Sequence, residues 1–210
     1  MFDVELLLNR LSRRRPIFHS EADFQHDFAW EARLMWPDTR VRLEQPFPGR
    51  TSGAIDVVIY RENRLHAVEL KYFKGLHQSE REGEPFHLKS HGAQDIGRYH
   101  VCRDIGRMEA FCAQPQSSAS VIVLTNDKYY WGGKTRPGTI AEAFDISGRR
   151  KLTGELRWAE HTAGTKRGKE APIVLNHSYK PEWKDYSVFE AKNGTFRYIH
   201  LQVGASQIQD

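Results

Sequence analysis

AIDVVIY (residues 54–60) and HAVELKYF (residues 66–73) are two short runs rich in β-branched and aromatic residues, and their reading decides the fold. Successive side chains of a strand point to opposite faces, which puts Ile55, Val57 and Ile59 on one face and Asp56, Val58 and Tyr60 on the other. In the second run Ala67, Glu69, Lys71 and Phe73 share a face. A tight turn centred on Glu62 and Asn63, or a loop Arg61 to Arg64 with the same centre, makes paired residue numbers sum to 125 and sets Asp56 opposite Glu69. Their β-carbons then lie roughly 4.5–5.5 Å apart, with Lys71 one strand step further on. Two carboxylates that close repel at pH 7 unless a cation lies between them, and hard oxygen donors favour Mg2+ or Mn2+ over zinc. The plainer reading is that Asp56 caps or solvates one strand while Glu69 and Lys71 form a surface pair. Both runs are largely apolar around the charges, which weighs against a merely solvated face.

Asp56, twelve intervening residues and Glu69-Leu70-Lys71 together resemble the PD-(D/E)xK nuclease superfamily, the restriction-endonuclease-like fold. The resemblance implies an α/β fold with an αβββαβ core, a mixed central sheet flanked by helices. It also implies that Asp56, Glu69 and the main-chain carbonyl of Leu70 bind Mg2+, with Mn2+ able to substitute, while Lys71 positions or activates the attacking water. The residue before Asp56 is Ile55 rather than proline, which makes the motif less specific without changing its chemistry.

Many members of that superfamily carry a further acid on the first helix, and residues 20–36, SEADFQHDFAWEARLMW, read as such a helix. Ser20 is a good N-cap, Asp23 takes the capping-box position and Pro37 ends the helix. Glu21 and Glu31 fall on the same stripe as Phe24, Phe28 and Met35. A carboxylate among core residues needs a partner. Glu31 is the favoured fourth catalytic and metal-binding residue, the other reading being an ion pair with Arg33 or an arginine across the core. Glu21 is a weaker candidate, because an acid in the first turn also serves the helix dipole.

VRLEQPF (41–47) reads as the first strand, followed by the turn-rich stretch 48–53. Residues 74–92 are charged with no clear period and read as a long mobile loop, which either closes over substrate or merely connects. Residues 92–113 read as a helix with Ile96, Val101, Ile105, Met108 and Cys112 toward the core. Gln94 and Arg98 share a face near its start and, with Lys74 and Lys89, are candidate nucleic-acid contacts. Gln94 and Tyr99 have four residues between them, which misses the Gln-x-x-x-Tyr spacing of recombination-type exonucleases. SSASVIVLTND (117–127) reads as a strand buried on both faces by parallel pairing.

Beyond Asp127 little periodicity remains, and residues 128–210 read as a loop-rich extension packed on a core of about 18–127 within one domain. KYYWGGKTRPG (128–138) and TAGTKRGKE (162–170) interleave positive charge and aromatics, either to contact nucleic acid or as core satellites and solvated loops. TFRYIHLQV (195–203) reads as a late strand with Ile199, Leu201 and Val203 inward, and 204–210 as a frayed tail.

The 210 residues suffice for one good core. LLL at 6–8 is too short for a signal peptide, and no apolar stretch approaches membrane-spanning length. Cys102 and Cys112 lie in one predicted helix and cannot easily bridge each other, which fits a reducing, cytoplasmic setting without membrane association. The ten histidines form no zinc pattern; His87 and His91 lack a third ligand. A net charge of +4 permits a polyanionic partner, with DNA expected over RNA, and a homodimer or accessory protein is compatible. The expectation is a Mg2+-dependent phosphodiesterase. The alternative is a catalytically inactive nuclease-like fold serving as a DNA-binding or protein-interaction module. A small-phosphate enzyme is disfavoured, since no Gly-rich phosphate loop follows any strand.

Overall fold

The hydrophobic runs assemble into a six-stranded mixed sheet between helices, described by a computed structural model over residues 2–49, 53–132, 138–160 and 167–204. In chain order the first elements are α1 (Val4–Arg14), α2 (Glu21–Met35), β1 (Arg40–Pro46), β2 (Ala54–Arg61), β3 (Arg64–Phe73), β4 (His77–Arg81) and β5 (Glu84–Leu88). They are followed by α3 (Gln94–Cys112), β6 (Ser117–Thr125), β7 (Leu152–Leu156), β8 (Ile173–Tyr179), β9 (Lys184–Val188) and β10 (Thr195–Val203). The sheet order is β1-β2-β3-β6-β10-β9, with β3 and β6 parallel and the other pairs antiparallel.

The β2–β3 hairpin takes the register read from its sequence: Arg61 pairs with Arg64 and Val57 with Val68, around a two-residue turn whose first residue, Glu62, has φ of 53°. The faces alternate from Val57 onward. Val57, Ile59, Val68 and Leu70 pack with α1 and α2, while Val58 and Ala67 pack with α3. Ile55 departs from the expected face and joins the α3 side. Across β1, Glu44 adopts φ of 50° and the ladder is interrupted between Leu43–Val57 and Gln45–Ile55 without a change of register.

On α2 the Ser20 hydroxyl accepts the Asp23 N–H at 3.1 Å, as the N-cap pattern predicts. Replacing it costs about 1 kcal/mol. Ser20→Ala should lower the urea midpoint accordingly without changing the slope, and an unchanged midpoint would show that the cap contributes nothing.

Three segments form regular structure that the sequence reading left out. Val4, Leu7, Leu8 and Leu11 make a buried stripe at helical spacing, and Asp3 caps α1 by accepting the Leu6 N–H. Residues 74–92, expected to be a loop, contain the β4–β5 hairpin, turned at Glu82-Gly83 with both φ positive. Its alternation buries Phe86 and Leu88, and Glu84 ties it to the α1–α2 connection through Arg15 (3.2 Å) and His19 (2.8 Å). The C-terminal extension is not peripheral. β10 runs over the residues expected but lies inside the central sheet between β6 and β9, with Ile199, Leu201 and Val203 buried. β7 and β8 form a separate ribbon on α3. Tyr130 is buried against Phe73, and Trp131 packs on Trp183, so these aromatics belong to the core while Tyr129 is exposed. Residues 50–52, 133–137, 161–166 and 205–210, which include parts of the basic stretches and the expected tail, lie outside the described residues.

A partly buried polar chain docks α1 on the sheet. Glu5 Oε1 meets His200 Nδ1 at 3.1 Å, His200 Nε2 meets Ser120 Oγ at 2.8 Å, and His66 joins Ser120 at 3.0 Å to Ser118 at 2.8 Å. The hydrogen bond from His200, with further ones from Tyr198 and Lys184, outweighs burial and holds the Glu5 carboxyl at about 2, below its ordinary 4.5. A depressed carboxyl stabilises the fold above its unfolded pKa, and that contribution is lost as pH falls from about 4.5 to 2. Glu5 is partly solvated, which limits the effect to about 1 kcal/mol. Glu5→Gln should therefore be less stable at pH 7 and show a flatter acid limb in stability against pH; an acid limb identical to that of the unaltered protein would refute this. Cys102 and Cys112 are both free thiols. Among the described residues no helix is long and apolar enough to cross a membrane.

Candidate active site

The register of β2 and β3 ends at Val57 with Val68, and Asp56 and Glu69 each lie one residue beyond that last pair. The Asp56 carboxylate replaces the missing ladder bond: Oδ2 accepts the Leu70 N–H at 2.7 Å. One oxygen of Asp56 is thus committed to the main chain. Lys71, on the same face as Glu69, turns its ammonium back to donate to the Leu70 carbonyl at 2.9 Å and lies 4.0 Å from Asp56 Oδ2.

The helices supply the rest. From the first turn of α2, Glu21 accepts the Tyr72 N–H with Oε2 at 2.8 Å and brings Oε1 to 4.0 Å from Lys71 Nζ. One turn on, Gln25 Nε2 donates both to the Asp56 carbonyl and to Glu44 Oε1, each at 2.7 Å. From α3, the fully buried Asp104 sets Oδ2 3.3 Å from Lys71 Nζ and Oδ1 3.2 Å from Arg107 Nη1. Arg107 also reaches Glu69 Oε1 at 3.2 Å, donates to the Ala54 carbonyl at 2.6 Å, and lies over the Phe47 ring.

Glu21, Asp56, Glu69 and Asp104 therefore crowd around Lys71 and Arg107, with a third cation, Arg103, 3.5 Å from Asp104 Oδ1. Burial, reinforced by Glu21 and Glu44 against the pull of Lys71 and the Leu70 N–H, pushes the Asp56 carboxyl up to about 6. Burial likewise raises Glu69, with Asp104 and Asp56 adding to it and Arg107 and Lys71 opposing. At Lys71 burial works against the charged form, but Asp104, Glu21, Asp56 and Glu69 outweigh it and the ammonium is held above its ordinary value.

Asp56 comes to 4.0 Å from Lys71, as does Glu21, whereas Glu69 feels the charges of Asp56 and Lys71 but takes Arg107 as its ion-pair partner. Glu31 does not: it is buried in an ion pair with Arg10 at 2.7 Å and Arg14 at 3.3 Å, clamping α1 to α2. Ten residues along a helix correspond to roughly 15 Å, so only one of the two acids can reach Lys71, and the docking of α2 selects Glu21. Gln94 and Arg98 face the segment after β6 instead. Gln94 Nε2 donates to Asp127 at 3.0 Å, and Arg98 donates to the Tyr129 carbonyl. Lys74 Nζ donates to the His19 carbonyl at 3.0 Å, and Lys89 is exposed.

Asp104, Arg107, Gln25 and Glu44 are additions that the sequence reading missed. Asp104 carried a signal, since it lies on the Val101–Ile105–Met108 stripe of α3 and a carboxylate there needs a partner. Glu44 carried none, because its position opposite Asp56 depends on the β1 register.

Among the described residues no group of three or more His, Cys, Asp or Glu is arranged to hold a metal ion. Asp56 and Glu69 nonetheless suit a hard divalent cation, which needs few protein ligands and keeps several waters. Buried Glu69 Oε1 and Asp104 Oδ2 make no aligned hydrogen bond and are met only by ion pairs, with Arg107 at 3.2 Å and Lys71 at 3.3 Å. Comparison of the chain with protein-family models, with curated proteins and with solved structures gave no significant match.

Proposed function

We propose that this chain is a divalent-metal-dependent phosphodiesterase that hydrolyses nucleic acid. The observation that carries the reading is that Asp56 and Glu69 lie at one end of the β2–β3 ladder, with Lys71 4.0 Å from Asp56 and the charges of both Asp56 and Lys71 felt at Glu69. In this reading Asp56 and Glu69 hold Mg2+ or Mn2+, with the Leu70 carbonyl as a third donor once Lys71 turns from it. When bound, the cation would polarise a phosphodiester and offset the charge that develops on it.

The side chains carry out the remainder. Lys71, kept charged by Asp104 on one side and Glu21 on the other, is a donor; it orients a water or a phosphate oxygen and offsets developing charge. Asp104 fixes the ammonium from beneath, and Glu21 holds the β3 backbone through the Tyr72 N–H. The mild basic balance of the chain, net +4, suits a polyanion approaching an acidic site. DNA over RNA rests on the family resemblance alone.

A binding module without catalysis is the second reading. It is favoured by one observation, that Lys71 occupies the Leu70 carbonyl a metal would need. Incubation with supercoiled plasmid, single-stranded DNA and RNA, in Mg2+, Mn2+ or EDTA, separates the two. Cleavage that requires metal is expected; intact substrates in every metal condition would overturn the enzyme and favour the module.

A further inference from the structure

Each acidic side chain of the site has a limited number of oxygens to offer, and the contacts account for most of them. Asp56 Oδ2 is held by the Leu70 N–H. Glu69 Oε1 faces Arg107, and Asp104 gives Oδ2 to Lys71 and Oδ1 to Arg107, with Arg103 3.5 Å from that same oxygen. Two-metal phosphodiester centres place their cations roughly 3.5–4 Å apart and need shared ligands to hold both. Here the carboxylate best placed to be shared, Glu69, has one oxygen already turned to a guanidinium.

We infer that Arg107 is a built-in second cation, a positioning residue that takes the place of a second metal between Glu69 and Asp104 and limits the site to one divalent ion. The inference rests on the metal-dependent reading above. Arg107 is suited to the place by chemistry and by anchoring. A guanidinium cannot lose its charge in a protein, and its fork reaches two carboxylates at once. Nη1 meets Asp104 and Nη2 meets Glu69, both at 3.2 Å. The group is pinned by the Ala54 carbonyl and by the Phe47 ring, so β2, β3 and α3 hold it in common.

Both carboxylates it bridges are buried, Asp104 completely, and without a cation they would face each other at a prohibitive electrostatic cost. The Glu69 contact is an ion pair without hydrogen-bond alignment, and Asp104 Oδ2 is likewise without a hydrogen bond. Removing the guanidinium would release Glu69 Oε1 and one partner of Asp104 Oδ1, while Asp104 Oδ2 stays with Lys71 at 3.3 Å. The consequence for Glu69 is that Arg107 holds Oε1 and leaves the other oxygen for the ion shared with Asp56.

The test is a count of bound Mn2+ on the full chain, by calorimetric titration and by the electron-paramagnetic-resonance signal of the free ion. One Mn2+ per chain is expected for the unaltered protein and for Arg107→Lys, which keeps the charge. Arg107→Met, which keeps the bulk and removes the charge, is expected to bind two. Two ions on the unaltered protein or on Arg107→Lys, or one on a folded Arg107→Met, would overturn the inference while leaving the metal-dependent reading intact. Should Arg107→Met fail to fold, Arg107→Gln, which also removes the charge, takes its place under the same expectations. No Mn2+ on the folded, unaltered protein would overturn the metal-dependent reading, and this inference with it.

Discussion

Asp56→Asn and Lys71→Met are each expected to lower metal-dependent cleavage by about 10²–10³-fold or more while the protein remains folded. The amide that Asp56→Asn introduces keeps an oxygen for the Leu70 N–H, which protects the β2–β3 edge, but lacks the charge that holds a divalent cation. Lys71→Met preserves the buried stem and removes only the ammonium, leaving Asp104 paired with Arg107. The two losses should differ in kind. Asp56→Asn should weaken Mn2+ binding, whereas Lys71→Met should bind Mn2+ and still fail to cleave. Glu31→Gln is the informative control: its carboxylate pairs with Arg10 and Arg14, so stability should fall and cleavage per folded molecule should not. A full cleavage rate for Asp56→Asn, with unchanged metal affinity, would remove the active-site assignment.

The largest effect on stability is expected at Glu109, which sits buried on the face of α3 that meets β8. Its Oε2 accepts the Asn176 N–H at 2.8 Å and the Asn176 side-chain amide at 3.0 Å. Its Oε1 accepts the His177 N–H at 2.9 Å and the Tyr179 hydroxyl at 2.8 Å. A single carboxylate thus satisfies four donors of β8 and docks the β7–β8 ribbon on the helix that also carries Asp104 and Arg107. Glu109→Ala strands those donors and should cost about 3–5 kcal/mol in urea unfolding, because hydrogen bonds to a buried charge are the expensive ones to break. Glu109→Gln keeps one acceptor and should recover part of that loss. A cost below about 1 kcal/mol for Glu109→Ala would show that the ribbon is held by its apolar contacts alone.

Several elements were legible because their signals are local. The β2–β3 register followed from the turn position and the two-residue period, and the structure pairs the strands as that arithmetic requires. Ser20 marked the start of α2, and the alternation in TFRYIHLQV marked β10 at both ends. Other local signals were present but weaker against their surroundings. The Val4–Leu7–Leu8–Leu11 stripe of α1 is short, and Phe86 and Leu88 alternate amid so much charge that the β4–β5 hairpin resembles a loop.

The chain's own pattern determined the hairpin, the strand faces from Val57 onward, and that Asp56 lies beside Lys71 at the end of the ladder, because each is set by neighbours within about a strand's length. Tertiary structure decided what depends on contacts distant in sequence. It selected Glu21 over Glu31, brought Asp104 and Arg107 beneath the site, and inserted β10 between β6 and β9. The physical reason is that periodicity states which side of a helix or strand is buried but not how far along its axis a neighbour packs. A polar residue on the buried side announces that it has a partner, and only the packed fold says which one.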